Sequence, residues 1–374
     1  MTSAPKSSKS SPDGGSEGAL FAPVESLAGV FHPHAIEVQD FSFYALVMDL
    51  RTPREYAIDH LPGALRFDPP PMSPQMLTTS HDVNLSPTTL RAEEPSLATL
   101  TPAMDAALAG IKLDEAVLLY GGESSAAAHA IARTLRWRGL TADVLPGGWP
   151  NYRRWVQAGL EVLPRLVPWR VIACTLGSES ARVLSALRAL GHQVLDVESL
   201  AGARRFAGSA PPAAQPDQAG FDGQLLHALR ALDALRPVWV ADSAARLGSI
   251  ALPGAMVDAL GVAPVAGLQV PMAARVHAWR ADDHAGVELD AVLRALEGHE
   301  PPAMLLQRWR DLVSAGDING LLSSVLRDHL DALAVDARAA RSVRRHALPP
   351  LVASTLEPEG LRQAIADWLP SPPT

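Results

Sequence analysis

Hydrophobic and polar positions along this chain follow two patterns, one typical of buried strands and the other of amphipathic helices. Short apolar runs at residues 44–49, 115–120 and 171–172 have the length and side chains of buried strands. After the third run, apolar residues recur at helical spacing on one face, at Val183, Leu184, Leu187 and Leu190. Gly191 then predicts the end of this helix, and a further strand is predicted at residues 193–195. The pattern therefore predicts an α/β protein with a βαβ unit in this region.

The turn inside this βαβ unit has the position of a phosphate-binding loop. Such a loop needs backbone N–H groups and a lysine, because the charge of a phosphate chain must be offset at close range. Glu179 occupies the lysine position and would repel a phosphate, and the three lysines of the chain all lie outside the turn. The residues that remain as candidates for binding a cofactor are Thr175, Gly177, Ser178 and Ser180. The sequence therefore predicts the scaffold of a nucleotide site with its main charge reversed.

Three further residues of this unit are candidates for chemistry. Asp196 and Glu198 follow the second strand and could bind a cation, although a solvated strand end has the same composition. Cys174 ends the first strand, where it is either a core residue or a replacement sulfur carrier whose thiolate the helix N-terminus would stabilise. We therefore keep both interpretations for each of these residues.

Composition limits the class of protein. The 374 residues include 48% hydrophobic residues, enough to fill the cores of two domains, but no apolar run reaches the roughly 18 residues of a membrane span. A single cysteine excludes an intramolecular disulfide and a multi-cysteine metal cluster, which fits a reducing compartment. We therefore predict a cytoplasmic protein with no metal centre and no membrane partner.

The charge of the chain says little about whether it binds nucleic acid. The net charge of −8 does not favour nucleic-acid binding, so any contact with RNA needs a local basic patch. The cluster that contains Arg341, Arg344 and Arg345 is one candidate, and a solvated helix face is the alternative. Helical periodicity occupies much of the region before this cluster, at residues 287–296, 303–314 and 321–333, and a short amphipathic helix is predicted later, at residues 359–369.

The segment after the first predicted strand carries an informative motif. Asp49 and Arg51 close the strand, Glu55 lies on the next predicted helix, and a His-x-Pro-Gly-Ala sequence ends at Ala64. This arrangement resembles the rhodanese domain signature. Pro53 suits a first helical turn, and these residues are expected mainly to brace the fold.

The strand, loop and helix predicted at residues 115–137 correspond to the rhodanese catalytic loop, which begins with a nucleophilic cysteine. The resemblance assigns the cysteine position, three residues before paired glycines, to Leu118, and places Ser124 where related proteins have an arginine. Ser124 and Ser125 could act as a replacement nucleophile or cap the helix. The whole degenerate loop comprises Leu118, Gly121, Gly122, Glu123, Ser124 and Ser125.

Both regions together resemble the bacterial tRNA 2-selenouridine synthases. The matching segments are ordered and spread over residues 44–335; they include Gly-Gly-x-x-x-Tyr-Arg-Arg at residues 147–154 and the strings at residues 195–201, 215–221, 238–240, 247–253, 271–276 and 329–331. The resemblance implies a rhodanese-like parallel-sheet domain at residues 20–160, then a degenerate P-loop-like α/β domain at residues 165–280. A helical extension would occupy residues 281–346. Residues 1–19 are expected to form a disordered tail, and residues 347–374 a C-terminal tail with a short helix.

The resemblance also implies an activity. Enzymes of that family replace the sulfur of 2-thiouridine at the tRNA wobble position with selenium, using selenophosphate and a geranylated intermediate that comes from geranyl diphosphate. It further implies a contact with tRNA, to which Arg204 and the basic cluster could contribute. This sequence differs from the family at the positions of its reactive residues: Leu118 replaces the cysteine and Glu179 replaces the phosphate-binding lysine. This pattern indicates a pseudoenzyme that binds tRNA or an active partner protein.

Two alternatives remain open at this point. An active sulfur or selenium transferase could use relocated groups, with Cys174 or Ser124 as the nucleophile. A non-catalytic rhodanese-like scaffold for protein interactions would need neither residue. The first alternative predicts that Cys174→Ser or Ser124→Ala abolishes a measurable transfer activity.

Overall fold

A computed structural model describes residues 41–71, 98–123, 125–174, 179–202, 215–282, 301–332 and 346–369. Several sequence predictions lie outside these residues. They are the tail at 1–19, the helix at 287–296, and the candidate residues Ser124, Thr175, Gly177, Ser178, Arg204, Arg341, Arg344 and Arg345. Within the described residues, no helix is long and apolar enough to cross a membrane.

The first sheet contains four parallel strands in the order β2-β1-β3-β4. Its strands are β1 (Tyr44–Asp49), β2 (Leu65–Arg66), β3 (Ala116–Tyr120) and β4 (Thr141–Val144). Its helices are α1 (Pro53–Ile58), α2 (Pro102–Leu108) and α3 (Ala126–Trp137). The predicted strand at residues 44–49 is confirmed. Thr52 and Glu55 form a capping box that starts α1, with Pro53 in its first turn.

Helix α4 (Gly148–Leu166) connects the two halves of the chain. Its buried side chains include large residues at helical spacing, namely Tyr152, Trp155, Val156, Leu160 and Leu163. Gly159 lies where a Cβ atom would come within 2.5 Å of the Leu226 side chain, so a larger residue there would require Leu226 to move. The helix therefore buries one face against the second half of the chain.

The second sheet contains five parallel strands in the order β11-β10-β5-β7-β6. They are β5 (Trp169–Ala173), β6 (Gln193–Val194), β7 (Val238–Ala241), β10 (Val265–Gln269) and β11 (Leu351–Val352); an antiparallel pair, β8 (Arg246–Leu247) and β9 (Ile250–Ala251), lies apart from them. The predicted βαβ unit is present, with β7 inserted between its strands β5 and β6. Gly191 ends its helix in the left-handed conformation, at φ 81°.

Helices surround this sheet and extend beyond it. They are α5 (Glu179–Ala189), α6 (Val197–Leu200), α7 (Gln218–Arg230), α8 (Gly254–Val262), α9 (Met272–Asp282), α10 (Ala303–Ser314) and α11 (Ile318–Ser324), which continues into a π-helical turn at Val325–Leu330. The predicted helix at residues 303–314 is confirmed. Helices α9, α10 and α11 bury a separate small core around Trp309.

The C-terminal segment contains the predicted short helix and also a strand that was not predicted. Residues 347–369 were expected to form a tail with a short helix, but Leu351 and Val352 form β11 beside β10. Helix α12 (Pro358–Trp368) buries Leu361 and Ile365 in the same core as α5. Two residues are too few for strand periodicity to be recognised, which is why the sequence pattern did not indicate β11.

One continuous core joins the two sheets. It includes Leu118 and Tyr120 of the first sheet, Trp155 of α4, and Val171 and Val238 of the second sheet. The protein is therefore a mixed α/β structure in which α4 lies at the junction of two parallel sheets.

Candidate functional site

The carboxyl ends of β1 and β3 carry a buried polar network. The Asp49 carboxylate accepts hydrogen bonds from Arg51 Nη2 at 2.6 Å and from the Tyr120 hydroxyl at 2.5 Å. The Arg51 guanidinium lies 3.7 Å from the centre of the Trp149 ring. Burial and the neighbouring Asp49 carboxylate raise the pKa of Tyr120 well above its usual range. The network thus fixes Arg51 beneath the loop that follows β3, which agrees with the predicted bracing role of Asp49 and Arg51.

The loop after β3 starts later than the resemblance to rhodanese domains predicts. Leu118 lies inside β3 and is completely buried in the core, so it does not stand at the start of a loop. The residue that directly follows the strand is Gly121. The assignment of Leu118 as the loop residue is therefore corrected, because alignment on the paired glycines ignored the length of the buried strand. Neither Leu118 nor Gly121 can supply a thiol.

The loop also lacks room for a side chain at its first position. A Cβ atom built on Gly121 would lie 2.4 Å from the Ser125 hydroxyl oxygen and 2.9 Å from the Ser125 Cβ. Real Cβ atoms do not approach other atoms so closely, so a cysteine at residue 121 would force the loop to move. Gly122, by contrast, is exposed, and a Cβ atom there would meet no other atom within 4 Å.

A glycine turn at the start of α4 presses against this loop. The Trp149 N–H donates a 2.8 Å hydrogen bond to the Gly121 carbonyl oxygen. Gly148, at φ 57°, packs so closely that a Cβ atom there would lie 2.2 Å from the Gly122 carbonyl oxygen. These contacts turn two loop carbonyl oxygens toward α4. The start of α4 therefore fixes the backbone of Gly121 and Gly122.

Ser125 caps helix α3. Its hydroxyl oxygen accepts a 3.2 Å hydrogen bond from the Ala128 N–H, which confirms the prediction of a helix cap. His129 lies one turn later in the same helix, and its backbone N–H bonds to the Ser125 carbonyl oxygen. A hydroxyl that caps a helix is oriented toward the backbone, so the geometry favours a structural role for Ser125.

Glu179, the residue at the lysine position of the predicted phosphate loop, forms a buried ion pair. Arg275 of α9 donates through Nε to the Glu179 carboxylate, and its two Nη atoms each lie 2.8 Å from an Asp331 carboxylate oxygen. Glu179 and Arg275 are 4% and 8% exposed. The flanking carboxylates raise the pKa of Arg275 despite its burial, so the guanidinium stays charged. The charge of Glu179 is therefore neutralised within the protein.

The remaining acidic residues of this region have local partners. Glu198 accepts hydrogen bonds from the Ser180 hydroxyl at 3.3 Å and from the Ser243 hydroxyl at 3.1 Å. Asp196 caps α6 by accepting from the Ser199 N–H at 3.0 Å. Among the described residues, no group of three histidine, cysteine or acidic side chains could hold a metal ion. The structure therefore brings Ser180 and Glu198 together, and the contacts of Asp196 are those of a helix cap.

Cys174 follows β5 at the carboxyl edge of the second sheet. Its side chain is partly buried and packs against the core that contains Ile172 and Leu187. The chain runs from β5 to β6 on one side of the sheet, whereas it runs from the neighbouring β10 to β11 on the other side. Parallel α/β sheets commonly bind ligands at such a reversal. The location is compatible with both interpretations of Cys174.

A second buried ion network, at the junction of the two sheets, was not predicted. Arg153 of α4 contacts the carboxylates of Asp59 at 3.0 Å and Asp222 of α7 at 3.3 Å. Gln157 donates a further 2.7 Å hydrogen bond to Asp222. Burial raises the pKa of Asp59 to about 6, an effect larger than the opposing influence of Arg153. Arg153 belongs to the Gly-Gly-x-x-x-Tyr-Arg-Arg motif, which was the only sequence signal for this contact.

Comparison with known proteins supports part of this picture. Residues 36–154 match the family model of the rhodanese-like domain. No curated protein and no solved structure gives a significant match to the chain. The N-terminal part of the protein is therefore a rhodanese-like domain, and the match ends within α4.

Proposed function

We propose that this protein is a non-catalytic relative of the bacterial tRNA 2-selenouridine synthases, which binds tRNA or a partner protein without transferring sulfur or selenium. The observation that carries the proposal is the loop after β3. It begins at Gly121, has no cysteine, and leaves no space for a side chain at that position. Persulfide chemistry requires a thiolate, and no residue of this loop can supply a thiol.

The altered P-loop-like turn gives independent support. A phosphate chain needs a cation near the helix N-terminus, and Arg275 lies close to that point. Arg275, however, is engaged by Glu179 and Asp331. A phosphate would have to displace Glu179, which would then remain as a buried, uncompensated charge costing several kcal/mol. The proposal therefore includes the absence of tight nucleotide binding.

Nucleoside analysis tests the lack of catalysis. Purified full-length protein would be incubated with tRNA containing 2-thiouridine, geranyl diphosphate and selenophosphate, and the digested nucleosides would be separated by mass. We expect only 2-thiouridine. The appearance of geranylated or selenium-containing nucleosides would overturn the proposal, as would release of thiocyanate from thiosulfate and cyanide.

Filter binding across a series of salt concentrations tests the contact with tRNA. Combined replacement of Arg341, Arg344 and Arg345 by alanine should weaken binding and reduce the salt slope by about one per lost phosphate contact. Replacement of the exposed residues Arg54, Arg188 and Arg310 removes the same charge and is the matched control. Equal effects of the two triple variants would contradict a specific basic site.

A second function rests on the position of Cys174 at the carboxyl edge of β5. In this alternative the protein is an active transferase and the thiol of Cys174 carries the chalcogen. Cys174→Ser would then abolish any activity detected in the nucleoside assay, whereas a Cys174→Ser variant with unchanged activity would exclude this alternative.

A further inference from the structure

Two buried polar networks, around Asp49 and around Arg153, meet at one residue. Arg51, whose guanidinium is paired with Asp49, donates a 2.7 Å hydrogen bond through Nη2 to the Asp59 carbonyl oxygen. The Asp59 carboxylate in turn accepts a 3.0 Å hydrogen bond from Arg153 Nη1. Residue 59 therefore connects the network at the carboxyl ends of β1 and β3 to the network at the junction of the two sheets.

Arg153 extends these contacts into α7. Its Nη1 also donates to the Ala219 carbonyl oxygen at 2.7 Å, and its Nη2 lies 3.3 Å from an Asp222 carboxylate oxygen. Asp222 is 6% exposed, and its carboxylate accepts two further hydrogen bonds, from Gln218 at 2.8 Å and from Gln157 at 2.7 Å. A buried carboxylate with this many donors is held in one position. Helix α7 is therefore tied to α4 and, through Arg153, to the residue that follows α1.

Helix α7 also approaches the end of α1 closely. A Cβ atom on Gly220 would lie 3.2 Å from the Ile58 carbonyl oxygen, which is tighter than most Cβ contacts. A Cβ atom on Gly223 would lie 3.5 Å from an Asp59 carboxylate oxygen. A larger side chain at residue 220 would push the two segments apart. The two halves of the chain therefore lie close together at the place where the polar contacts cross between them.

The polar contacts and the apolar core act differently at this junction. The core also joins the two halves, but apolar attraction is not directional and tolerates small shifts. If α7 moved away from α1, Arg153 could not stay in contact with both Asp59 and Asp222. One of these carboxylates, each 8% exposed, would then lose its cation, and a buried charge without a partner is costly. The ion pairs therefore oppose separation of the two halves.

We propose that the contacts of Arg153 with Asp59 and Asp222, the Arg153 bridge, couple the two halves of the chain, so that both sheets open as one cooperative unit. The match to the rhodanese-like domain ends at residue 154, yet Arg153 pairs with Asp222 of α7, which lies outside the match. The rhodanese-like half is therefore not an independent module. This inference goes beyond the proposed function and holds whether or not the protein catalyses a reaction.

Native-state hydrogen exchange of the full-length protein tests the coupling. Mass spectrometry would follow residues 116–120 of β3 and residues 238–241 of β7, all of which are buried, at urea concentrations below the unfolding transition. In the wild type we expect the two segments to have the same free energy of opening and the same dependence on urea. Different free energies of opening in the wild type would show that the halves open independently, which would overturn the proposal.

Protein variants distinguish the Arg153 bridge from general stability. Asp222→Asn leaves Arg153 paired with Asp59, so no buried carboxylate loses its cation, but it removes the charge that α7 contributes. The opening constants of the two segments, equal in the wild type, should then differ by about tenfold or more. Arg153→Gln, which removes the bridge itself, should separate them in the same way.

Arg154→Ala is the matched control, because Arg154 is an exposed neighbour on the same helix. This variant should leave the opening constants of the two segments equal. If Asp222→Asn changes both opening constants by the same factor, or changes neither, the bridge does not couple the two halves and the proposal is overturned.

Discussion

The Tyr120 hydroxyl donates a 2.5 Å hydrogen bond to Asp49, and this contact joins the carboxyl ends of the two central strands of the first sheet. The Tyr120 oxygen also accepts a 3.1 Å hydrogen bond from the Leu61 N–H. One phenol therefore connects β1, β3 and the turn before β2. The geometry of the loop after β3 depends on this connection, since Arg51 and Trp149 pack against the same groups.

Asp49→Asn should strongly destabilise the protein. The change leaves Arg51, which is 6% exposed, as a buried cation without its carboxylate partner. Removal of one partner from a buried pair costs about 3–5 kcal/mol in the free energy of unfolding. Urea denaturation measures this loss. Asp68→Asn breaks an exposed ion pair with Arg66 and should cost only about 0–1 kcal/mol. Similar losses for both variants would contradict a special role for Asp49.

Arg275→Ala should destabilise the second half of the protein by a comparable amount, about 3–5 kcal/mol, because Glu179 would remain buried and unpaired. A double-mutant cycle with Glu179→Gln should recover part of the loss. Arg280→Ala, on an exposed position of the same helix, is the matched control. Equal shifts of the denaturation midpoint in Arg275→Ala and Arg280→Ala would show that the ion pair does not contribute to stability.

The wild-type protein should not be stabilised by pyrophosphate. A ligand that binds only the folded state raises the melting temperature by mass action. Arg275, the cation near the N-terminus of α5, is paired with Glu179. We therefore expect no change in melting temperature in millimolar pyrophosphate. An increase in the melting temperature of the wild type that is absent from an Arg275→Ala variant would mean that Arg275 binds phosphate.

Asp59 should make stability depend on pH. Its pKa is raised to about 6 in the folded protein, above the value near 4 of an exposed carboxyl, so the native state binds more protons between these values. The stability contributed by protonated Asp59 is present below pH 4 and is lost as pH rises through 6. The free energy of unfolding of wild type relative to Asp59→Asn should therefore fall by about 2–3 kcal/mol between pH 4 and pH 7. A difference that is flat or rises with pH would contradict the shift.

Thiol labelling should distinguish Leu118 from the loop residues. In a Cys174→Ser background, Leu118→Cys places a thiol in the core, where reaction with Ellman's reagent should follow unfolding. Gly122→Cys places it on the exposed loop, where labelling should be rapid. Fast labelling of the residue 118 thiol in the folded protein would restore the original assignment of Leu118 to the loop.

Local patterns predicted much of this structure, and contacts between distant segments account for what they missed. The strand at residues 44–49, the helix at residues 303–314 and the stop at Gly191 each depend on neighbouring residues. Periodicity did not give the bounds of the helix predicted at residues 321–333: a helix begins at Ile318 and becomes a π-helical turn at Val325–Leu330. Such boundaries depend on caps and tertiary contacts that a hydrophobic pattern does not encode.

The sequence singled out Glu179 as an unusual residue, but it did not predict which residue Glu179 contacts. Glu179 was recognised as a reversed charge, yet its partner Arg275 lies 96 positions away in the chain. Arg153 and Asp222 are likewise brought together only by packing of α4 on α7. A sequence motif marks such residues as unusual, but spacing along the chain does not reveal which of them meet.

The position of β11 has a consequence for how the chain reaches its final form. The second sheet receives its edge strand from residues 351–352, long after β5 has left the ribosome. Until those residues emerge, β10 exposes a hydrogen-bonding edge and α5 lacks the cover of α12. The nascent second half therefore lacks its edge strand and the cover of α12 until the last residues described are made.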